Sequence, residues 1–132
     1  WSKTFAEILR HGCKSITAWN FALDEKGRPN IGPFDCGGLV TVDSQSKAIS
    51  YSGQYRAFSH FSRFIRRGAY RMHSQGGATV HHVAFANPDG RQVLVLSNPA
   101  SARTVQVRTD GHVTSVAIGS DSVVTLEWSA RS

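Results

Sequence analysis

Between Val80 and Trp128 the sequence breaks into short β-prone runs with turn signals in the gaps, and this rhythm restricts the fold more than any other feature. The runs are Val80 to Ala86, Gln92 to Ser97, Arg103 to Arg108, Val113 to Ile118 and Val123 to Trp128. Asn87-Pro-Asp-Gly90 puts proline where a turn needs a preset φ and glycine where it needs a left-handed backbone. Asn98-Pro99 and Asp110-Gly111 punctuate later gaps. Strands recurring roughly every 8 to 12 residues predict an antiparallel β-sandwich or small barrel.

The amino-terminal part follows another rule. Phe5, Ile8 and Leu9 fall at helical spacing from Ser2 to His11, Ser2 is placed to cap the start, and Gly12 follows as a stop. Ser15 to Leu23 is apolar and β-rich without alternation, which predicts a strand buried on both faces in a parallel sheet. A helix followed closely by such a strand is one α/β unit of a larger fold. Asp24 to Pro33 concentrates charge, glycine and proline and reads as a loop. Leu39 to Val42 and Ala48 to Tyr51 read as a hairpin. Tyr55, Phe58, Phe61, Phe64 and Ile65 then form one stripe of a helix near residues 54–65. The stripe suits packing onto a sheet better than a ligand platform. A chain that opens on Trp1, inside a helical pattern, is expected to be a cut or processed product.

The expected fold is therefore mainly β, an antiparallel β-sandwich or small barrel preceded by a helix-strand unit, with one additional helix. Residues 1–33 form the first segment and 34–132 the β-domain with its connecting helix. A length of 132 residues suits one core. No run reaches the roughly 20 apolar residues that cross a membrane, and no signal-peptide series opens the chain.

Chemistry is sparse. The net charge of +6 includes the cluster Arg63, Arg66, Arg67 and Arg71, but no nucleic-acid motif accompanies it, so a solvated face is expected and no specific nucleic acid. Cys13 and Cys36 are expected to be free, mostly buried thiols; their pairing is not readable from sequence. His81 and His82, on a strand, point to opposite faces, and no third ligand stands at a metal-binding spacing. No metal and no cofactor is expected. Glycoside hydrolysis needs two flanking carboxyl groups, and Asp24, Glu25, Asp43, Asp89 and Asp110 sit in loops and turns instead. No nucleophile elbow is present. Trp19-Asn20 near the end of the expected strand is more specific, since a ring that stacks on a sugar beside an amide that bonds hydroxyls is a sugar-site pair. Core packing is the competing use of both.

The residues also resemble a family. Trp19-Asn-Phe-Ala-Leu-Asp24, Gly27-Arg-Pro-Asn30, Cys36 to Asp43, Tyr55 to Phe64 and Arg67-Gly-Ala-Tyr-Arg71 look like the carboxy-terminal part of glycoside hydrolase family 30, which includes glucosylceramidases and β-1,6-glucanases. Val83 to Gly90, Val93 to Pro99 and Val123 to Trp128 resemble its terminal β-domain. The similarity runs over essentially the whole chain.

The resemblance implies a retaining β-glycosidase built as a (β/α)8 barrel with an attached β-sandwich. Residues 1–33 would be the last helix-strand unit of that barrel plus a loop. Both catalytic glutamates, after barrel strands four and seven, would precede Trp1, leaving no catalytic residue in this chain. Trp19 and Asn20 would bind substrate in an intact barrel, the substrate being a carbohydrate or glycolipid. Phe21 stands where members commonly have Leu and Arg28 where they have Gly, and no sugar contact carries over to Phe34, Asp35 or Cys36. The family's sandwich also takes strand material from the amino end, so self-association or a companion chain carrying the rest of the barrel is expected. The parent protein would be secreted or extracytoplasmic. A stand-alone carbohydrate-binding sandwich without catalysis is the alternative.

Overall fold

The first turn of helix α1, Ser2–Arg10, is capped by the backbone of Trp1 and not by the Ser2 hydroxyl. Ser2 Oγ instead shares a 2.7 Å hydrogen bond with Ser97 Oγ. The structure is a computed structural model and describes residues 1–129; Ala130, Arg131 and Ser132, which close the expected segment 34–132, lie outside the described residues. Gly12, at φ +91°, ends the helix as its position predicts.

The expected strand Ser15 to Leu23 shrinks to β1, Ala22–Leu23. It is also not buried on both faces, because Trp19 and Phe21 are 78% and 69% exposed. The physical reason is partnership. A parallel strand is held by its neighbours' backbone, and among the described residues the backbone bonds here begin only where Asn20 and Phe21 carbonyls accept from Leu39 and Val40. The neighbour supplying them is β2, Val40–Val42, parallel to β1, which pairs antiparallel with β3, Ile49–Tyr51. The expected hairpin is therefore present and completes a sheet ordered β1-β2-β3.

Helix α2, Gly53–Ser62, starts on Ser52, whose hydroxyl accepts from the Tyr55 amide at 3.1 Å. The rest of the stripe, Phe64 and Ile65, continues in a turn closed by Ile65 N–H donating to the Phe61 carbonyl. After it comes β4, Tyr70–Met72, which is too short and polar to stand out in the sequence.

The carboxy-terminal strands match the expected rhythm: β5 His81–Ala86, β6 Arg91–Asn98, β7 Arg103–Thr109, β8 His112–Ile118 and β9 Ser122–Ser129. They form an antiparallel sheet β4-β5-β6-β9 and a ribbon β7-β8. The first sheet is the middle layer. Val83, Phe85, Val93 and Val95 point to one face and pack with Phe5 and Ala6 of α1 and Ala57 and Phe61 of α2. Ala84, Leu94 and Leu96 point to the other and pack with Val116 and Ile118 of β8. This period-two division explains why β5 and β6 read as nearly continuous apolar runs. Each fully buried Val or Phe here contributes about 1.5–3 kcal/mol.

Candidate functional site

Asn20 and Trp19 precede the point where β1 and β2 meet. Asn20 adopts φ +63°, a left-handed conformation that asparagine tolerates better than most residues. Its carbonyl accepts from Leu39 N–H at 3.2 Å, fixing the turn to β2. Its amide Nδ2 is buried without a hydrogen-bond partner. Two donor hydrogens shielded from water and aimed at nothing are costly unless something else receives them. Trp19 beside it exposes an indole that no core residue covers.

The loop that follows is tightly built. Asp24 Oδ1 accepts from the amides of Lys26 and Arg28 at 2.9 and 2.7 Å. Gly27, at φ +73°, lies so near residue 36 that a Cβ there would stand 2.5 Å from the Cys36 carbonyl oxygen. Asn30 Nδ2 donates to the Phe34 carbonyl at 2.8 Å. Glu25 accepts from the Ser44 hydroxyl and amide at 2.6 and 2.9 Å, and these bonds lower its pKa. Asp43 is likewise lowered, by the Ser46 and Gln45 amides and the Ser46 hydroxyl. These carboxylates are spent on turns and would be poor proton donors. An open hollow of about 710 Å³ at the ends of β1 and β2 is lined by Asp24, Arg28, Asn30, Asp43 and Lys47.

The histidines serve the seams. Glu7 on α1 accepts from His81 Nδ1 at 2.8 Å. Arg10 donates to His82 Nε2 at 3.0 Å, which fits the tautomer whose Nδ1–H donates to the Val80 carbonyl at 3.2 Å. Among the described residues no group of three His, Cys, Asp or Glu side chains could hold a metal. The cysteines are free; Cys13 is exposed and Cys36 half-buried, so the expectation of mostly buried thiols is corrected. Cys13 belongs to the exposed turn after α1, where no element covers it.

Phe85 and Trp128, the aromatics of the late strands, both face inward, Phe85 at 7% exposure and Trp128 against the second core cluster. One pair escaped the sequence reading. Gln92 and Trp128 are cross-strand partners lining a cavity of about 740 Å³ between sheet and ribbon. Gln92 Oε1 and Trp128 Nε1 are each buried without a partner. Gln92 stands in phase with Leu94 and Leu96, and a polar residue on an apolar face is the signal that marks it.

Comparison with known proteins adds relatives to this geometry. Residues 68–126 match the glycosyl hydrolase family 30 beta sandwich domain. An endo-1,6-beta-D-glucanase of Neurospora crassa is 31% identical over 95% of this chain and 29% of its own. The lysosomal acid glucosylceramidase of Mus musculus is 31% identical over 64% of this chain and 17% of its own. The crystal structure of SrfJ from Salmonella typhimurium superposes with a TM-score of 0.90 at 26% identity, covering 98% of this chain and 31% of that one. The chain thus spans less than a third of the length of each of these relatives.

Proposed function

The chain belongs to glycoside hydrolase family 30, and from that membership we propose that it is the carboxy-terminal part of a retaining β-glycosidase acting on β-1,6-glucan or glucosylceramide-like substrates. The observation that carries the reading is the chain-long fit to SrfJ, at a TM-score of 0.90, together with 31% identity to an endo-1,6-beta-D-glucanase. In this reading residues 1–33 are the last helix-strand unit of the barrel plus a loop, and 34–132 the supporting sandwich. Trp19 stacks on the sugar and Asn20 donates to a hydroxyl. The exposed indole and the unpartnered Nδ2 support both roles.

The chemistry belongs to two carboxyl groups elsewhere in the protein. A retaining pair stands about 5–5.5 Å apart, one attacking the anomeric carbon and the other first protonating the leaving oxygen and then activating water. The part played by this chain is to hold one wall of the sugar pocket and to stiffen the barrel through α1 and α2, whose Phe5 and Phe61 are buried against the middle sheet. The parent protein acts outside the cytoplasm.

The cavity between sheet and ribbon supports a second element of the proposal. An extended segment, from the amino end of the same protein or from a companion chain, would offer an N–H to Gln92 Oε1 and a carbonyl to Trp128 Nε1, the two groups left unpaired.

The test is hydrolysis. A protein extended upstream through barrel strands four and seven should cleave an aryl β-glucoside with retention of the anomeric configuration, and residues 1–132 alone should not. Trp19-dependent turnover by the 132-residue chain would sink the reading.

A further inference from the structure

The strand β1 is only two residues long, Ala22–Leu23, and its register against β2 decides where Trp19 and Asn20 stand. So short a parallel pair carries too few ladder bonds to fix that register by itself. At its entry the backbone helps: Leu39 N–H donates to the Asn20 carbonyl at 3.2 Å and Val40 N–H to the Phe21 carbonyl at 2.9 Å. At its exit a side chain takes over. Glu25 accepts from the Ser44 hydroxyl through one carboxylate oxygen at 2.6 Å, and from the Ser44 amide through the other at 2.9 Å. Glu25 and Ser44 stand 19 residues apart, as Asn20 and Leu39 do, so the carboxylate carries the β1–β2 register past the last paired residues.

Each partner is fixed by its own turn. Asp24 Oδ1 accepts from the Lys26 and Arg28 amides, and Gly27 N–H donates to the Asp24 carbonyl at 3.0 Å, which closes the backbone around Glu25. Asp43 Oδ1 accepts from the Gln45 and Ser46 amides at 3.1 and 2.7 Å, and the Lys47 ammonium donates to the Ser44 carbonyl at 2.7 Å. An exposed polar contact between free side chains stabilises little, because ordering both costs entropy. Two knotted turns have lost much of that freedom already. Among the described residues the two Glu25 bonds are the only side-chain hydrogen bonds that join residues 24–30 to the β2–β3 hairpin. Donors, acceptors and the backbone that carries them all lie within this chain, so the clamp does not depend on what packs against the exposed faces of residues 1–33.

We propose that Glu25, acting through Ser44, is a positioning residue: its two-pronged grip on the hairpin holds β1 in the register that presents the Trp19 indole and the Asn20 amide to the sugar. This role presupposes the sugar-site reading of Trp19 and Asn20. Glu25 touches no sugar; what it controls is the placement of residues that do, and a misplacement of about 1 Å caused far from the chemistry can cost about 100-fold in rate.

The experiment compares Glu25→Ala, Glu25→Gln and Trp19→Ala in a protein extended upstream through barrel strands four and seven, with an aryl β-glucoside as substrate. Glu25→Ala should lower kcat/KM about tenfold, mainly through a raised KM. A merely structural role would reduce the fraction of active protein, and so kcat, with KM unchanged. Glu25→Gln, which keeps one acceptor oxygen for Ser44, should recover part of the loss. In a Trp19→Ala background Glu25→Ala should lose most of its effect, because both changes act on one contact. In the 132-residue chain, hydrogen exchange at the Leu39 and Val40 amides should quicken about tenfold or more in Glu25→Ala, while the amides of β5 and β6 stay protected. A fall in kcat at constant KM, full additivity with Trp19→Ala, or unchanged exchange would overturn the proposal. If Trp19→Ala itself leaves kcat/KM untouched, the sugar-site reading fails and the positioning role with it. If Trp19→Ala is impaired and Glu25→Ala is not, the positioning role alone fails. Should Glu25→Ala not fold, Ser44→Ala, which removes the hydroxyl bond and keeps the amide bond, carries the same comparisons.

Discussion

Glu7 on the helix α1 and His81 on the strand β5 meet at 2.8 Å, joining the amino-terminal unit to the middle sheet of the sandwich. His11, one turn along, stands 3.8 Å from the other carboxylate oxygen, and Arg10 adds further positive charge near it. The hydrogen bond from His81 is the main cause of a Glu7 pKa held below its usual 4.5, with the charges of His81, Arg10 and His11 adding to it and partial burial opposing it.

A depressed carboxylate contributes stability above its unfolded pKa and loses it as the pH falls through the folded value. The Glu7 side chain is 38% exposed, so solvent screens the pair and the contribution is small. Glu7→Gln should therefore cost about 0.5–1 kcal/mol at pH 5. The cost should shrink as the pH falls below the usual 4.5 and through the lowered folded value, where the wild-type carboxyl becomes protonated too. Urea unfolding of both proteins at pH 3, 4 and 5 checks this; a difference that grows with acid would refute it.

Asn87 carries more weight. Its side chain is buried and joins the Phe64 carbonyl to the Arg66 amide, while its backbone N–H donates to Arg91 at 2.7 Å across the Asn87 to Gly90 turn. Asn87→Ala would strand a buried donor and a buried acceptor, at about 1–3 kcal/mol. Asn87→Asp keeps the acceptor for Arg66 and replaces the donor to Phe64 with a second oxygen, so it should also destabilise. Thermal or urea melts of the two variants decide it.

Gln92 gives a prediction of opposite sign. Its Oε1 is buried without a partner, so Gln92→Met removes a desolvated polar atom at similar volume. In the 132-residue chain that change should be neutral or stabilising by up to about 1 kcal/mol. In a longer protein whose extended segment donates to Gln92, the same change should destabilise. Denaturation midpoints of both lengths, each with and without the substitution, separate the cases.

The late strands were legible because antiparallel pairing is local: Asn87-Pro-Asp-Gly90 closes β5 onto β6, and period-two alternation places Val105 and Val107 inward. The aromatic stripe of α2 was legible for the same reason, since Phe61 and Ala57 reach the core from one helix face. Ser15 to Leu23 was misread because apolar composition does not supply strand partners, and among the described residues pairing begins only at Asn20 and Phe21. Composition reports what a segment is suited to bury, and only partners decide whether it is buried. Trp19 and Asn20 were singled out by residue type, while the unpartnered state of Asn20 Nδ2 and the left-handed backbone beneath it belong to the fold alone. Gln92 and Trp128 meet because of strand register, which pairs residues 36 apart and leaves no local trace.

Trp19 separates stability from function. At 78% exposure it contributes little to the core, so Trp19→Ala should shift the unfolding free energy of this chain by no more than about 0.5 kcal/mol. On the proposed reading, the same change in a protein extended upstream removes the face on which the sugar stacks. A stacking contact of about 1.4–2.8 kcal/mol corresponds to a fall in kcat/KM of about 10- to 100-fold. Trp19→Phe, which keeps a smaller face, should recover part of the loss. Steady-state kinetics on an aryl β-glucoside, with unfolding curves of the same variants, tests both halves. A large loss of stability with unchanged kcat/KM would return Trp19 to a packing role and remove it from the sugar pocket.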